Sequence, residues 1–99
     1  MSVSLLTLVT ALGWVGAAAG VVAYAMVSRG RWAPTSLPFQ LTNLTAASLM
    51  CLVAAVNGVW PSAVANIVWM VIGVQAVAMM VRRARRRVVT TARELELAA

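Results

Sequence analysis

Two long stretches without any charged residue constrain this chain more than any other feature of its sequence. The only charges are eight arginines and two glutamates, and none of them lies in Met1 to Ser28 or in Trp32 to Val81. The hydrocarbon core of a bilayer is ~30 Å thick, and a helix needs about 20 apolar residues to cross it. Uncharged stretches of this length predict a protein that inserts into a membrane.

The number of membrane spans follows from the lengths of these stretches. The first fits one crossing, but the second would be about 75 Å long as a single helix, more than twice the hydrocarbon thickness. It therefore holds two crossings. Asn57-Gly58 followed by Pro61 marks the break, because Asn-Gly ends helices and Pro is favoured in a first turn. The sequence predicts an all-α membrane protein with spans at about 3–28, 38–56 and 61–81 and a basic tail at 82–99.

The arginines predict the orientation, because basic residues in short loops are retained on the cytoplasmic side. Three spans place the first loop, with Arg29 and Arg31, on the same side as the arginines that follow the third span. We therefore expect the N-terminus outside and the C-terminus in the cytoplasm. The first span lacks a basic leading region and is longer than a typical secretory signal, so we interpret it as a retained span.

The residue types argue against catalysis. The chain contains no His, Asp or Lys, and both glutamates lie in the tail. It therefore lacks the ligands or bases that a metal site, a nucleophile-base pair or a proton relay requires, and we predict no enzyme, no metal and no cofactor. The net charge of +6 lies beside the membrane, which favours anionic lipid over nucleic acid as a partner. Cys51 is the only cysteine, and we interpret it as an apolar filler.

Small residues recur along one face of the first span. Gly13, Gly16 and Gly20 follow one another at three- and four-residue spacing, and Tyr24 lies one turn further on. Gly16 and Gly20 have the spacing that lets two helix backbones approach closely in lipid. The stripe predicts either packing against the other two helices or the seam of a homodimer.

Amides lie on one face of each of the other two spans. Gln40 and Asn43 share a face of the second span, and Asn66 and Trp69 share a face of the third. Lipid offers amides no hydrogen-bond partner, so we expect both faces to turn inward. Gln75 lies about 180° from Asn66 around the third helix, which requires a second neighbour or a cavity. Two interpretations remain open for these residues: hydrogen bonds between helices, or the lining of a solute path.

The segment after the third span is strongly basic. Near an anionic leaflet each basic residue contributes ~1 kcal/mol of attraction, so this cluster predicts contact with lipid headgroups or a partner as well as a fixed topology. Val88, Ala92, Leu95 and Ala99 recur at helical spacing, which predicts that the tail continues as a weakly amphipathic helix lying on lipid or on a partner. The cluster consists of Arg82, Arg83, Arg85, Arg86 and Arg87.

Two segments resemble a family of short, largely uncharacterised bacterial three-helix membrane proteins. They are Ser36 to Leu44, and Asn57 to Trp69 with its Trp-Pro-Ser motif followed by Asn66 and Trp69. This family is in turn similar to the SemiSWEET and PQ-loop half-transporters. That resemblance implies a three-helix bundle that dimerises around a path for sugars, with Asn66 as the inward asparagine of the third helix. The class is expected to carry a Pro-Gln pair in its first helix, whereas the first span here contains no proline.

Two functional hypotheses follow. The first is a structural or accessory protein, in which amides and glycines lock the helices together and the chain docks to a second copy, a larger membrane complex or anionic lipid. The second is a homodimeric carrier for a small neutral solute, since three helices alone cannot enclose a solute path. Its path would be lined by Asn66, Trp69, Asn43 and Gln40, with Tyr24 narrowing the cytoplasmic end.

Overall fold

The computed structural model describes residues 2–99, which form three helices. They are α1 (Val3–Ser28), α2 (Leu37–Val56) and α3 (Trp60–Ala98). Each is long and apolar enough to cross a membrane. The predicted all-α fold with three such helices is therefore confirmed, and the ends predicted for the first two spans lie within one residue of the observed ends.

Capping side chains and glycines set the helix ends. Ser2 and Ser36 precede α1 and α2, and each hydroxyl oxygen accepts a hydrogen bond from the backbone N–H three residues later, at 3.2 and 3.4 Å. Pro38 lies in the first turn of α2, where its missing N–H breaks no helical bond. Gly30 and Gly58 follow α1 and α2 with a φ of 72°, a conformation that other residues rarely adopt. The Asn-Gly break predicted between the second and third spans is thus the point at which the chain uses a left-handed glycine.

The three helices form an open layer with α2 in the middle. Both α1 and α3 pack against α2, and within residues 2–99 they make no close backbone contact with each other. A closed bundle, which the resemblance to SemiSWEET proteins implies, would bring all three helices into mutual contact. The core is instead divided into two seams, one between α1 and α2 and one between α2 and α3.

Both seams are built from small residues. Lipid supplies no water to expel, so helices in a membrane associate by close packing, and small residues permit the closest approach. Most of the larger apolar side chains are exposed, which is compatible with a surface that faces acyl chains. The buried residues are Val9, Gly13, Gly16 and Ala23 in α1, Ala46, Ala47 and Ala54 in α2, and Ala63 and Gly73 in α3.

The third helix continues well past the span predicted for it. It runs for 39 residues without a break, about 58 Å at the helical rise, whereas the hydrocarbon core is ~30 Å thick. No Gly or Pro follows Gly73, and arginine is a good helix former, so nothing in the sequence stops the helix. Residues 82–98 are therefore a continuation of α3 rather than a separate helix lying across the membrane surface. The molecule is correspondingly elongated, with extents of 67 × 27 × 23 Å.

Candidate functional site

The glycines of α1 lie against α2. A Cβ placed on Gly16 would lie 2.8 Å from the Cβ of Leu49, and one placed on Gly13 would lie 2.8 Å from a methyl group of Val53. At Gly20 the nearest atom would be 3.8 Å away, an ordinary van der Waals distance. The sequence leaves two alternatives for this stripe, packing within one chain or the seam of a homodimer. In this structure Gly13 and Gly16 pack against α2 of the same chain. Bare backbone is required at Gly13 and Gly16, but not at Gly20.

A second glycine contact joins α2 and α3. Gly73 is buried, and a Cβ placed on it would lie 2.8 Å from a methyl group of Leu44. Gln40 lies beside this contact, and its Nε2 donates a hydrogen bond to the backbone oxygen of Pro34 at 3.0 Å. Gln40 thus ties the start of α2 to the preceding loop. The sequence places Gly73 on the face of Trp69 but does not indicate its close approach to Leu44.

One hydrogen bond between two side chains joins different helices in the part of the chain that the structure describes. The indole Nε1 of Trp69 donates to Oδ1 of Asn43 at 3.1 Å, linking α3 to α2. Asn43 is half-buried, whereas Trp69 is 53% exposed. The pair therefore lies at the edge of the α2–α3 seam, with one side of the indole open.

The remaining asparagines hydrogen-bond within their own helices. Asn66 is half-buried on the face of α3 that packs on α2, but its Nδ2 donates to the backbone oxygen of Ser62 at 2.9 Å. Asn57 likewise donates to the backbone oxygen of Val53 at 2.8 Å. The interhelical bond predicted for Asn66 is therefore not formed within residues 2–99. The carbonyl one turn earlier satisfies the amide, as it often does for short polar side chains in helices.

Two polar side chains lie away from both seams. Gln75 is exposed and lies about 180° around α3 from the half-buried Asn66, so it points away from α2. Unlike the other four side-chain amides, it makes no hydrogen bond within residues 2–99. Tyr24 is 76% exposed. Neither polar group has a hydrogen-bond partner within residues 2–99.

Metal-binding and redox chemistry have few candidate groups. Among the described residues, no three His, Cys, Asp or Glu side chains lie close enough together to hold a metal ion. The sulfur of Cys51 lies 3.6 Å from the backbone oxygen of Ala63. This thiol is therefore part of the α2–α3 seam.

One side of the layer carries a groove between α1 and α2, and we call it the open face. Residues seven apart share a helix face, so Tyr24 lies on the side of Ala17, and Asn43 on the side of Met50. Trp14, Ala17 and Met50 line one groove, and Trp69 reaches over to Asn43. The open face consists of Thr10, Trp14, Ala17 and Tyr24 of α1, Asn43 and Met50 of α2, and Trp69 and Ala76 of α3.

The opposite side of α2 is exposed, and the polar side chains there hydrogen-bond to the backbone of their own helix. Leu41 and Leu52 are 51% and 42% exposed there. Between them the hydroxyls of Thr45 and Ser48 donate to backbone oxygens one turn earlier, at 2.9 and 2.7 Å. The hydroxyl groups of Thr45 and Ser48 are therefore satisfied within α2.

The predicted arginine cluster lies on the extension of α3, and every member is exposed. Arg82 lies about 33 Å along the helix from its start, a length slightly greater than the ~30 Å thickness of a hydrocarbon core. Arg83 and Arg87, one turn apart, line a groove together with Thr35 of the first loop. Arg82 and Arg86 are a second pair one turn apart, on another side of the helix. Thr35 is missing from the predicted residues because a single loop threonine carries no sequence signal.

Comparisons with known proteins identify one family. A sequence model of an uncharacterised bacterial-type family matches residues 9–85, from the second turn of α1 to the arginines of α3. No curated protein and no solved structure matches the chain. The predicted resemblance to an uncharacterised bacterial family is thus confirmed, whereas nothing in these comparisons supports the likeness to SemiSWEET and PQ-loop proteins.

Proposed function

Because the chain belongs to an uncharacterised bacterial-type family whose match spans residues 9–85, we propose a function from its own surfaces. It is a multi-pass protein of the bacterial inner membrane, of structural or accessory type, without a catalytic role. It assembles through its open face with a second copy or with a larger membrane complex. The proposal rests on a difference between two kinds of surface. The small groups in the seams pack against other helices of the chain, whereas most residues of the open face are exposed.

The polar and small groups in the seams are used to hold the chain together. Gly13 and Gly16 allow α2 to approach α1 closely. The amide of Asn66 donates a hydrogen bond to a backbone oxygen of its own helix. A carrier would instead keep such groups free to replace the hydration shell of its solute. Their use in packing favours the structural interpretation.

The open face presents groups that are poorly suited to acyl chains. Trp14, Tyr24 and Trp69 are 75%, 76% and 53% exposed, and Ala17 and Ala76 lie between them. Helix contacts in membranes are enriched in small residues and in side chains that hydrogen-bond across the contact. A protein surface that covers the open face can offer hydrogen-bond partners to Trp14 and Tyr24, which acyl chains cannot do.

The orientation is part of the proposal. Thr35 and the arginines of α3 line one groove, so the loop that carries Arg29 and Arg31 lies at the same end of the molecule as the arginine cluster. Basic residues gathered at one end favour retention of that end in the cytoplasm. This places the N-terminus outside and the C-terminus inside.

The open face also favours a second candidate function, a homodimeric carrier for a small neutral solute. It runs along the layer and holds the Asn43–Trp69 pair, with Tyr24 further towards the arginine end. Two copies whose open faces meet would enclose a path with these groups on its wall, as dimeric half-transporters require. Asn66 faces α2 instead, so Asn43 and Trp69 are the better candidates to meet a solute.

Cysteine crosslinking in native membranes tests the assembly. In a Cys51→Ala background, Ala17→Cys places a thiol on the open face, and Ser48→Cys places one on the opposite side of α2. Both positions are exposed and lie within spans, which makes the second a matched control. We expect disulfide-linked dimers, or adducts with a co-purifying membrane protein, from Ala17→Cys alone. A monomer in lipid, with no companion and no difference between the two positions, would overturn the proposal.

Flux measurements separate the two candidate functions. Purified protein in vesicles is tested against empty vesicles with a panel of sugars and other neutral metabolites. The structural function predicts no added flux. Flux that disappears in Asn43→Leu, while the crosslinked dimer is retained, would establish the carrier instead.

A further inference from the structure

A groove runs between α3 and the loop that joins α1 to α2, at the cytoplasmic end of the open face. Its outer part is lined by Arg83, Arg87 and the hydroxyl-bearing Thr35, over Met80 and Ala84. Two guanidinium groups one turn apart, with a hydroxyl beside them, offer several donors to one anion. The outer part therefore has the chemistry of a phosphate site.

The groove continues towards the membrane and becomes largely apolar. This inner part shares Thr35, Met80 and Arg83 with the outer part and adds Gln40, Ala76 and Met79. Ala76 lies seven residues before Arg83, so both are on the same side of α3. A single ligand that fills both parts needs an anionic head and a hydrocarbon tail.

The depth of the groove matches the boundary of a bilayer. Arg83 lies about 35 Å along α3 from Trp60, whereas the hydrocarbon core is ~30 Å thick. Met79 and Ala76 are one and two turns closer to the bilayer centre. The guanidinium groups therefore lie at the level of lipid phosphates, and the apolar part lies at the level of acyl chains.

The arginines have no nearby anion of their own. The sequence contains no Asp or Glu before Glu94, and Glu94 is roughly two turns beyond Arg87 along the helix. An anion that balances the charge of Arg83 and Arg87 therefore has to come from outside the chain.

We propose that this groove binds one anionic phospholipid, with its phosphate between Arg83 and Arg87 and one acyl chain along Met79, Met80 and Ala76. The hydroxyl of Thr35 donates to the same phosphate. Diffuse attraction between a basic cluster and a charged leaflet would treat all five arginines alike, whereas this site singles out two. The site is independent of whether the protein is an accessory subunit or a carrier.

A charge-matched pair of variants tests the site. Arg83→Gln/Arg87→Gln removes the groove arginines, and Arg82→Gln/Arg86→Gln removes two with the same spacing on another side of α3. Binding of phosphatidylglycerol to the full chain in mild detergent is measured by native mass spectrometry, with phosphatidylcholine as the zwitterionic comparison. Losing a charge-assisted hydrogen bond weakens binding about tenfold. We therefore expect about 100-fold weaker binding in the groove variant and less than about tenfold in the control.

Further measurements decide between the proposed occupant and the alternatives. Equal losses in the two double variants would show diffuse attraction and overturn the site. Thr35→Val keeps the side-chain size and is expected to weaken binding severalfold, which tests the groove even if a double variant fails to fold. Inorganic phosphate is expected not to displace the lipid, and displacement at comparable concentrations would mean that the site takes free phosphate. Circular dichroism confirms the helical content of each variant.

Discussion

Replacing Gly16 by alanine should weaken the α1–α2 seam, whereas the same change at Gly20 should not. The new Cβ at Gly16 would lie 2.8 Å from the Cβ of Leu49 and 3.3 Å from the backbone oxygen of Ala46. Neither atom is the free end of a flexible side chain, so the helices must separate. Overpacking of this kind costs about 1 to 3 kcal/mol, and the better helix propensity of alanine returns up to about 1 kcal/mol. With that return in full, we expect Gly16→Ala to lower the free energy of unfolding by up to about 2 kcal/mol.

Gly20→Ala is the matched control. It adds the same methyl group to the same face, but its Cβ would lie 3.8 Å from that of Ala46, a normal contact. The expected change is between zero and about 1 kcal/mol of stabilisation, from helix propensity alone. Equilibrium unfolding in mixed micelles of mild detergent and dodecyl sulfate, followed by tryptophan fluorescence, measures both variants against the parent chain.

The double variant Gly13→Ala/Val53→Ala examines the same reasoning at a second point. The atom that a Cβ on Gly13 would strike is a methyl group of Val53, and alanine lacks it. The double variant should therefore be more stable than the sum of the single losses predicts, by about 1 kcal/mol. Equal stability of Gly16→Ala and Gly20→Ala, together with additive effects at Gly13 and Val53, would refute the proposed α1–α2 contact.

Three other predictions concern single contacts. Trp69→Phe should lower the free energy of unfolding by about 0.5 to 2 kcal/mol, because it leaves the acceptor of Asn43 without its donor, and a cycle with Asn43→Leu measures the coupling. Gly58→Ala should destabilise by about 1 kcal/mol, because its φ of 72° disfavours a Cβ; thermal unfolding checks this. Gly73→Ala should be milder than Gly16→Ala in the same unfolding assay, since the atom it meets is the flexible end of Leu44.

The sequence predicts the helices well because their signals are local. The Asn57-Gly58 break and Pro61 each act within a few residues, and the observed ends agree with them. The end predicted for the third span does not coincide with the end of α3. Hydropathy falls at Arg82, but helix propensity does not.

The sequence cannot predict which neighbour each face meets. Helical periodicity correctly groups Gly13 with Gly16 on one face of α1. It does not indicate which helix packs on that face, because a dimer seam and a seam within one chain have the same pattern. Asn66 illustrates a second limit. Its amide bonds to the backbone of Ser62, a choice that depends on one side-chain torsion and leaves no trace in the spacing of polar residues.

Because α3 is unbroken, its C-terminal extension moves together with the rest of the helix. No break separates the apolar part of α3 from residues 82–98, so any tilt of the apolar part turns the extension by the same angle. The extension is about 25 Å long, and a tilt of ~20°, typical of membrane helices, displaces its tip sideways by about 9 Å. Spans tilt more in thinner bilayers. In a bilayer, the sideways displacement of Glu94 and Glu96 would therefore vary with the thickness of the surrounding lipid.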